Sequence, residues 1–145
     1  LAAQYNLPPE LMRIEITETA YTGESEAVDK LTADLHTRGF STYMDDFGTG
    51  QSTLAMLKNV NVDVIKLDRT FVSIDGDHGR STQIISSMLE MAQSLHLPVV
   101  VEGVETNEQA NVLRQMGARD AQGFLYYRPM PAKDFEALLD GGNNN

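Results

Sequence analysis

The chain has 145 residues, the length of one ordinary domain, and carries 21 acidic against 11 basic residues, a net charge of −10. This acidity excludes the basic footprint of a protein that binds a nucleic acid polymer. The chain has no cysteine, which excludes disulfides, thiolate zinc sites and thiol catalysis and favours the cytoplasm. No apolar run approaches the ~20 residues of a membrane span, so we expect no direct membrane contact from this segment.

Short strand-like runs alternate with helical patterns along the chain. The predicted strands, in chain order, are Met12–Thr17, Phe40–Phe47, Val62–Asp68, Pro98–Gly103 and Asp120–Leu125. Predicted helices follow them at about 24–38, 52–58, 82–95, 106–117 and 132–139, the fourth opened by a capping-box pattern of Thr106 and Gln109. Strict alternation predicts an α/β fold with a parallel sheet and right-handed crossovers.

The two ends of the sequence indicate a piece of a larger protein. The chain begins at Leu1 rather than at a methionine, and its first residues are typical of the end of a helix. No linker or shift of composition divides residues 1–140, so we predict one domain there. The glycine and asparagine residues at 141–145 predict a disordered tail.

Polar side chains gather where the predicted strands end. In a parallel βα sheet the carboxyl ends of all strands meet on one face, where ligands and catalytic groups collect. A buried strand would carry valine or isoleucine there, because burying an unpaired carboxylate costs several kcal/mol. We therefore predict one site built from Glu15, Asp45, Asp46, Lys66, Glu102 and Gln122.

The carboxylates of this site are the ligands that a hard divalent cation prefers. No histidine or cysteine accompanies them on the predicted strands, which favours Mg²⁺ or Mn²⁺. The adjacent Asp45 and Asp46 suit either two metals ~3.5–4 Å apart or one metal and a water. Lys66 is placed to hold an attacking water or to stabilise charge on a phosphoryl oxygen. A bound metal also explains how an acidic domain binds a phosphorylated ligand.

Five segments at the strand ends agree, in order and spacing, with the motifs of a known family. They are EITE at 15–18, DDFGTG at 45–50, DVIKLD at 63–68, EGVE at 102–105, and QGF at 122–124 with Arg128-Pro129. The chain thereby resembles the EAL family of cyclic-di-GMP phosphodiesterases, whose fold is a TIM-like (β/α) barrel. Because a complete barrel takes roughly 250 residues, the resemblance implies an incomplete barrel of about five βα units, the C-terminal part of an EAL domain.

The resemblance implies hydrolysis of cyclic-di-GMP to linear pGpG by a water activated on Mg²⁺ or Mn²⁺. By their places in the motifs, Glu15 and Asp45 are similar to direct metal ligands, and Asp46 is similar to a ligand of the second metal. Lys66 resembles the lysine that orients the catalytic water, and Glu102 the glutamate that acts as base or metal partner.

Four more positions are implied to support the site. Glu105 and Gln122 resemble supporting or substrate-binding residues, and Glu18 with Ser52 resembles the pair that steadies the loop after DDFGTG. In the family this loop is tied to metal binding and dimerisation, so the resemblance implies a homodimer. Gln51 replaces the aromatic residue often found in that loop.

The resemblance lacks the family's signature. The Glu-Ala-Leu motif and the asparagine ligand after it stand upstream of everything present here, so we expect this chain alone to be nearly inactive. Glu136-Ala137-Leu138 repeats the letters on the last predicted helix, where we expect Ala137 and Leu138 to serve packing. The alternative to the enzyme is a non-catalytic cyclic-di-GMP receptor or a degenerate EAL interaction module. The retained carboxylates and Lys66 favour the enzyme.

Some polar residues also have simpler interpretations. Glu18 and Glu105 are alternatively solvated loop acids or charges at helix N-termini, and Gln122 is alternatively a buried amide. Asp68 is predicted to cap a turn or helix rather than to take part in catalysis. The histidines predicted to be isolated and solvated are His36, His78 and His96.

Overall fold

The fold is built on one sheet of parallel strands. The computed structural model of the protein describes residues 2–23, 25–50, 57, 61–72 and 79–142. Over these residues five strands pair in parallel and stand in chain order, as expected of successive βα units. The strands are β1 (Arg13–Thr17), β2 (Ser41–Phe47), β3 (Val64–Leu67), β4 (Val99–Val101) and β5 (Asp120–Ala121). Each lies inside its predicted range.

Five α-helices lie between and after the strands in the described part of the chain. They are α1 (Glu18–Gly23), α2 (Ser25–Thr37), α3 (Arg80–Ser94), α4 (Asn107–Gln115) and α5 (Ala132–Gly142). Helix α1 was not predicted, because six residues are too few to show a helical repeat. The helix predicted at 52–58 lies outside the described residues except for Leu57. None of the described helices is long and apolar enough to cross a membrane.

Helix α5 is longer than the pattern predicted. It includes Gly141 and Gly142, so the predicted disordered tail is wrong for these two residues, and residues 143–145 lie outside the described part of the chain. Glu136 is exposed on this helix, and Leu138 is half-buried.

Side-chain caps fix two of the connections that follow strands. Thr106 Oγ1 accepts a hydrogen bond of 3.2 Å from the backbone N–H of Gln109, whose Oε1 accepts one of 2.9 Å from the N–H of Thr106. The predicted capping box of α4 is therefore confirmed. The Asp68 carboxylate accepts a hydrogen bond of 2.9 Å from the N–H of Thr70 and caps a 3₁₀ turn. Burial alone would raise the pKa of Asp68, but this hydrogen bonding lowers it below its ordinary value.

The hydrophobic core lies between the sheet and the helices. Alternate strand residues face it, because successive side chains of a strand point to opposite sides. The apolar strand residues buried in the core are Ile16, Met44, Phe47, Ile65, Leu67 and Val101, and they share one cluster with Val28, Ile85, Leu89 and Leu113 of the helices. The strand residues between them lie on the other face of the sheet, where the predicted site lies.

A polar group, which we name the amino-end cluster, joins His36 of α2 to Thr42 of β2 and to Asp63. Asp63 Oδ2 accepts a hydrogen bond of 2.7 Å from the N–H of Thr42 and lies 3.0 Å from His36 Nε2. The same His36 nitrogen lies 2.9 Å from Thr42 Oγ1, and Thr42 is fully buried. The prediction that His36 is isolated is wrong, because the fold brings Thr42 and Asp63, which lie outside α2, into contact with its ring. His96 is exposed as predicted, and His78 lies outside the described residues.

Candidate functional site

The predicted site lies at the carboxyl ends of the strands, on the face opposite the core. Glu15 belongs to β1, Asp45 to β2 and Lys66 to β3, and Glu102 directly follows β4. Because the strands are parallel, their carboxyl ends meet at one edge of the sheet. The structure brings these four side chains into direct contact.

Lys66 lies at the centre of this contact. Its Nζ is 2.7 Å from Asp45 Oδ1, 2.8 Å from Glu15 Oε1 and 2.9 Å from Glu102 Oε1, and the residue is only 5% exposed. Burial alone would lower the pKa of the Lys66 amine, but its hydrogen bonds to Asp45, Glu102 and Glu15 outweigh burial and raise the pKa above its ordinary value. At neutral pH Lys66 is therefore a fixed cation and not a neutral base.

Asp45, Asp46 and Glu102 form a group that we name the carboxylate cluster. One oxygen of each lies within 4.8 Å of the others, so a single ion can contact all three. Asp46 is exposed, and the other two are half-buried. Hard oxygen donors at this spacing fit Mg²⁺ or Mn²⁺.

An irregularity at the end of β2 brings two adjacent aspartates to one place. In a regular strand Asp45 and Asp46 would point to opposite faces of the sheet. The pairing of β2 with β3 shifts register between Met44 and Phe47, and Asp46 adopts a left-handed backbone with φ 55°. Aspartate tolerates this conformation better than most residues. The break in alternation lets both carboxylates approach Glu102.

Glu15, predicted as a direct metal ligand, lies beside the carboxylate cluster rather than within it. Its carboxylate joins the site through the 2.8 Å contact with Lys66, and its side chain is 48% exposed. Of the residues that the structure describes, Asp45, Asp46 and Glu102 alone satisfy the spacing of a shared metal site. That Glu15 binds metal directly stays a prediction.

Glu18 is a buried acid that holds the turn after β2. It is 2% exposed, and its Oε2 accepts hydrogen bonds of 3.0 Å from the backbone N–H groups of Gly48 and Gly50. The interpretation of Glu18 as a solvated acid is therefore wrong, and its contacts with the Gly-Thr-Gly turn agree with the implied steadying role. Ser52, its implied partner, and Gln51 lie outside the described residues.

Gln122 and Glu105 are both exposed and are not among the residues that contact Lys66. Gln122 is exposed, and its side chain lines a cavity of about 490 Å³ on the open face of the sheet, together with Tyr43 of β2. It is not the buried amide of the simpler interpretation. Glu105 is also exposed, and its N–H donates to Gln109 Oε1 at 2.7 Å, beside the start of α4. The supporting roles of both side chains stay predictions.

At two positions beside the site only glycine fits, and the sequence pattern did not reveal this. Gly103 has a φ of 71°, where side chains are strained, and a Cβ added there would clash with Arg69. A Cβ on Gly123 would clash with the backbone of Val104. The available signal was a polar residue followed by glycine at two strand ends, which is typical of a close approach between connections.

Comparisons with known proteins agree with this architecture. The EAL domain family model matches residues 1–129. The cyclic di-GMP phosphodiesterase RocR of Pseudomonas aeruginosa is 41% identical over 141 residues, which are 97% of this chain and 36% of RocR. The solved EAL domain of Mycobacterium smegmatis DcpA is 35% identical with a TM-score of 0.88, over 97% of this chain and 63% of that one. Klebsiella pneumoniae BlrP1, solved with manganese and cyclic-di-GMP, is 34% identical with a TM-score of 0.76, over 85% of this chain and 31% of that one.

The chain spans well under two thirds of the length of the curated relatives it matches. The likeness to solved EAL domains confirms that the five βα units form part of a TIM-like barrel. Two of the relatives, RocR and NbdA of Pseudomonas aeruginosa, are named cyclic di-GMP phosphodiesterases. With its motifs at the strand ends and a family match over residues 1–129, this chain belongs to the EAL domain family.

Proposed function

We propose that the domain containing this chain hydrolyses cyclic-di-GMP to linear pGpG with a divalent metal ion. The observation that carries the proposal is the carboxylate cluster, whose three oxygens lie within 4.8 Å of one another beside the Lys66 ammonium. RocR is named a cyclic di-GMP phosphodiesterase, and BlrP1 was solved with manganese and cyclic-di-GMP, which supports this substrate and this class of cofactor.

In this proposal the acids hold one or two ions of Mg²⁺ or Mn²⁺, with Asp45, Asp46 and Glu102 as ligands and Glu15 completing the set. A bound ion of this kind polarises the phosphodiester and lowers the pKa of water. Lys66 orients the attacking water and places a positive charge near the phosphoryl oxygens. Glu102 accepts the proton of that water or shares the metal.

Four other residues have supporting roles in the proposal. Glu18, with Ser52, keeps the turn after β2 in place, and the two hydrogen bonds from Gly48 and Gly50 to Glu18 support this. Gln122 lines the open face at the end of β5 and is available to contact the ligand. Glu105 lies next to the start of α4 and has the most indirect role.

The test is to incubate the complete domain with cyclic-di-GMP and Mg²⁺ or Mn²⁺ and to follow the products by liquid chromatography. We expect pGpG to form and a chelator to stop its formation. Binding of cyclic-di-GMP without turnover would refute the enzyme and favour the non-catalytic receptor. The 145-residue chain by itself is expected to be nearly inactive, because the signature Glu-Ala-Leu glutamate and the asparagine ligand that the resemblance implies are not among the strand-end motifs it carries.

The proposed partner besides cyclic-di-GMP is a second copy of the protein, in the cytoplasm. The dimerisation implied for the loop after DDFGTG supports a homodimer of the protein. In the isolated 145-residue chain, β1 and β5 each pair with one neighbouring strand within the described residues, so each leaves backbone groups unpaired in the sheet. Exposed strand edges of this kind promote association. Sedimentation of the 145-residue chain at micromolar concentration should show dimers or larger species. A compact monomer that melts cooperatively would contradict this expectation.

A further inference from the structure

Lys66 contacts the same carboxylates that the proposed metal ion needs. Its Nζ lies 2.7 Å from Asp45 and 2.9 Å from Glu102, two of the three members of the carboxylate cluster. The third contact, 2.8 Å to Glu15, reaches an acid outside that cluster. One buried ammonium thus bridges carboxylates from β1, from β2 and from the end of β4.

The metal-free site carries an excess of negative charge. The carboxylates of Glu15, Asp45 and Glu102 contact a single ammonium, and the carboxylate of Asp46 lies close to those of Asp45 and Glu102. In the part of the chain that the structure describes, no basic side chain other than Lys66 forms an ion pair with any of them. Carboxylates held this close repel one another unless a cation lies between them. Lys66 therefore offsets much of the repulsion that would otherwise push these strand ends apart.

A metal ion on the carboxylate cluster cannot leave these contacts unchanged. It would share the carboxylates of Asp45 and Glu102 with Lys66, so each cation would weaken the attraction of these groups for the other. Its charge would also repel the ammonium a few ångströms away. The flexible lysine stem allows the ammonium to move while the backbone of β3 stays in the sheet. Binding of a metal ion therefore weakens the contacts of Lys66 with the cluster, and the contacts of Lys66 weaken the binding of the metal ion.

We propose that Lys66 is an internal counterion that holds the carboxylates together in the metal-free protein and competes with the divalent ion for Asp45 and Glu102. This rests on the proposed metal-dependent function and adds a positioning role to Lys66. It states how the site keeps its shape before the metal arrives. It also implies that the protein gives up some metal affinity for a site that is already assembled.

Variants of the complete domain at Lys66 test the counterion proposal without a measurement of turnover. In chelator, we expect Lys66→Met to melt at a lower temperature than the wild type. By calorimetry, Mn²⁺ should bind Lys66→Met about tenfold more tightly, since a nearby positive charge is removed and two ligands are freed. Saturating Mn²⁺ should therefore raise the melting temperature more in the variant than in the wild type. Unchanged or weaker Mn²⁺ binding by Lys66→Met would overturn the proposal.

Two further variants separate charge from shape. Lys66→Arg keeps the positive charge and should restore most of the melting temperature lost in Lys66→Met. Lys30→Met removes the same charge from the exposed surface of α2 and should change neither melting nor Mn²⁺ affinity. If the wild type bound no Mn²⁺, the proposed metal site would fail. A lower melting temperature of Lys66→Met in chelator would still support the counterion role.

A measurement on the wild type keeps the proposal testable if Lys66→Met does not fold. The Lys66 ammonium is buried and hydrogen-bonded, so its ¹⁵N resonance should be separate from those of the exposed lysines in protein labelled at lysine. Titration with Mg²⁺, which is diamagnetic, should move this resonance in step with the binding seen by calorimetry. A Lys66 signal that stays unchanged while Mg²⁺ saturates the site would show that the ion does not displace the ammonium.

Discussion

The two ends of the sheet each carry a group of polar side chains, and the two groups are built in opposite ways. In the amino-end cluster a single carboxylate, that of Asp63, meets the N–H and hydroxyl of Thr42 and the ring of His36. At the carboxyl end a single ammonium, that of Lys66, meets three carboxylates. A fourth carboxylate, that of Asp46, stands exposed beside them.

The difference teaches that charge balance, more than residue type, separates a structural polar group from a functional one. The amino-end cluster supplies several donors for its single carboxylate, so it joins α2 to β2 without needing a ligand. The carboxyl-end group keeps a surplus of negative charge that the described basic residues do not neutralise. A charge surplus held by rigid strand ends is costly unless a cation binds there, which favours a metal site.

The largest effect that the comparison predicts is loss of turnover at the carboxyl end. In the complete domain, Asp45→Asn or Glu102→Gln should lower the rate of cyclic-di-GMP hydrolysis by at least about 10²–10³-fold, because each removes a charged oxygen from the proposed metal site. The metal-free protein should lose no more than about 1–2 kcal/mol of stability, since Lys66 keeps two other carboxylates. Product chromatography and urea unfolding measure the two quantities.

The matched control for these variants is Glu136→Gln. Glu136 is exposed on α5, and its replacement removes the same charge at a position outside the strand-end motifs. We expect it to leave both turnover and stability unchanged. If Glu136→Gln impaired hydrolysis as strongly as Glu102→Gln, the location of the site at the strand ends would be wrong.

A smaller effect is expected at Glu18, which connects the site to its supporting turn. Glu18→Gln replaces one carboxylate oxygen by an N–H donor and weakens two hydrogen bonds to Gly48 and Gly50 in a position only 2% exposed. We expect a loss of about 1–3 kcal/mol in the free energy of unfolding, measured in urea, with a parallel loss of Mn²⁺ affinity. Mn²⁺ affinity that stays at the wild-type value would mean that the turn has no influence on the carboxylate cluster.

Much of the site was predictable, because it depends on the regular alternation of strands and helices and on the order of the strands in the sheet. The alternation of strands and helices predicted a parallel sheet, and the carboxyl ends of its strands bring Glu15, Asp45 and Lys66 together. What the sequence could not provide were contacts that depend on backbone detail. The left-handed backbone of Asp46 cannot be predicted from a strand pattern, and α1 is too short to leave a helical repeat.

The amino-end cluster was missed for a related reason. Its three members come from a helix, a strand and a connection, and His36 and Asp63 are 27 residues apart. No periodic pattern links such residues, so the sequence predicts only an isolated, solvated histidine at position 36. By contrast, Asp68 and Thr70 are two residues apart, and a local cap of this kind is readable from sequence.

The smallest predicted effect is therefore at the amino end, where a change should alter stability and leave the site alone. Thr42→Val removes a fully buried hydroxyl that contacts His36 and Asp63, while the backbone N–H of residue 42 keeps its bond to Asp63. One lost partner of this kind costs about 0.5–1.5 kcal/mol in the free energy of unfolding, to be measured in urea. Thr37→Val, at an exposed position of α2, should cost less than about 0.5 kcal/mol. Because the amino-end cluster lies at the end of the sheet opposite the site, Mn²⁺ affinity and turnover should equal the wild-type values in both variants. A tenfold change in either quantity for Thr42→Val would show that the two ends of the sheet are coupled, and the division into a structural and a functional end would have to be abandoned.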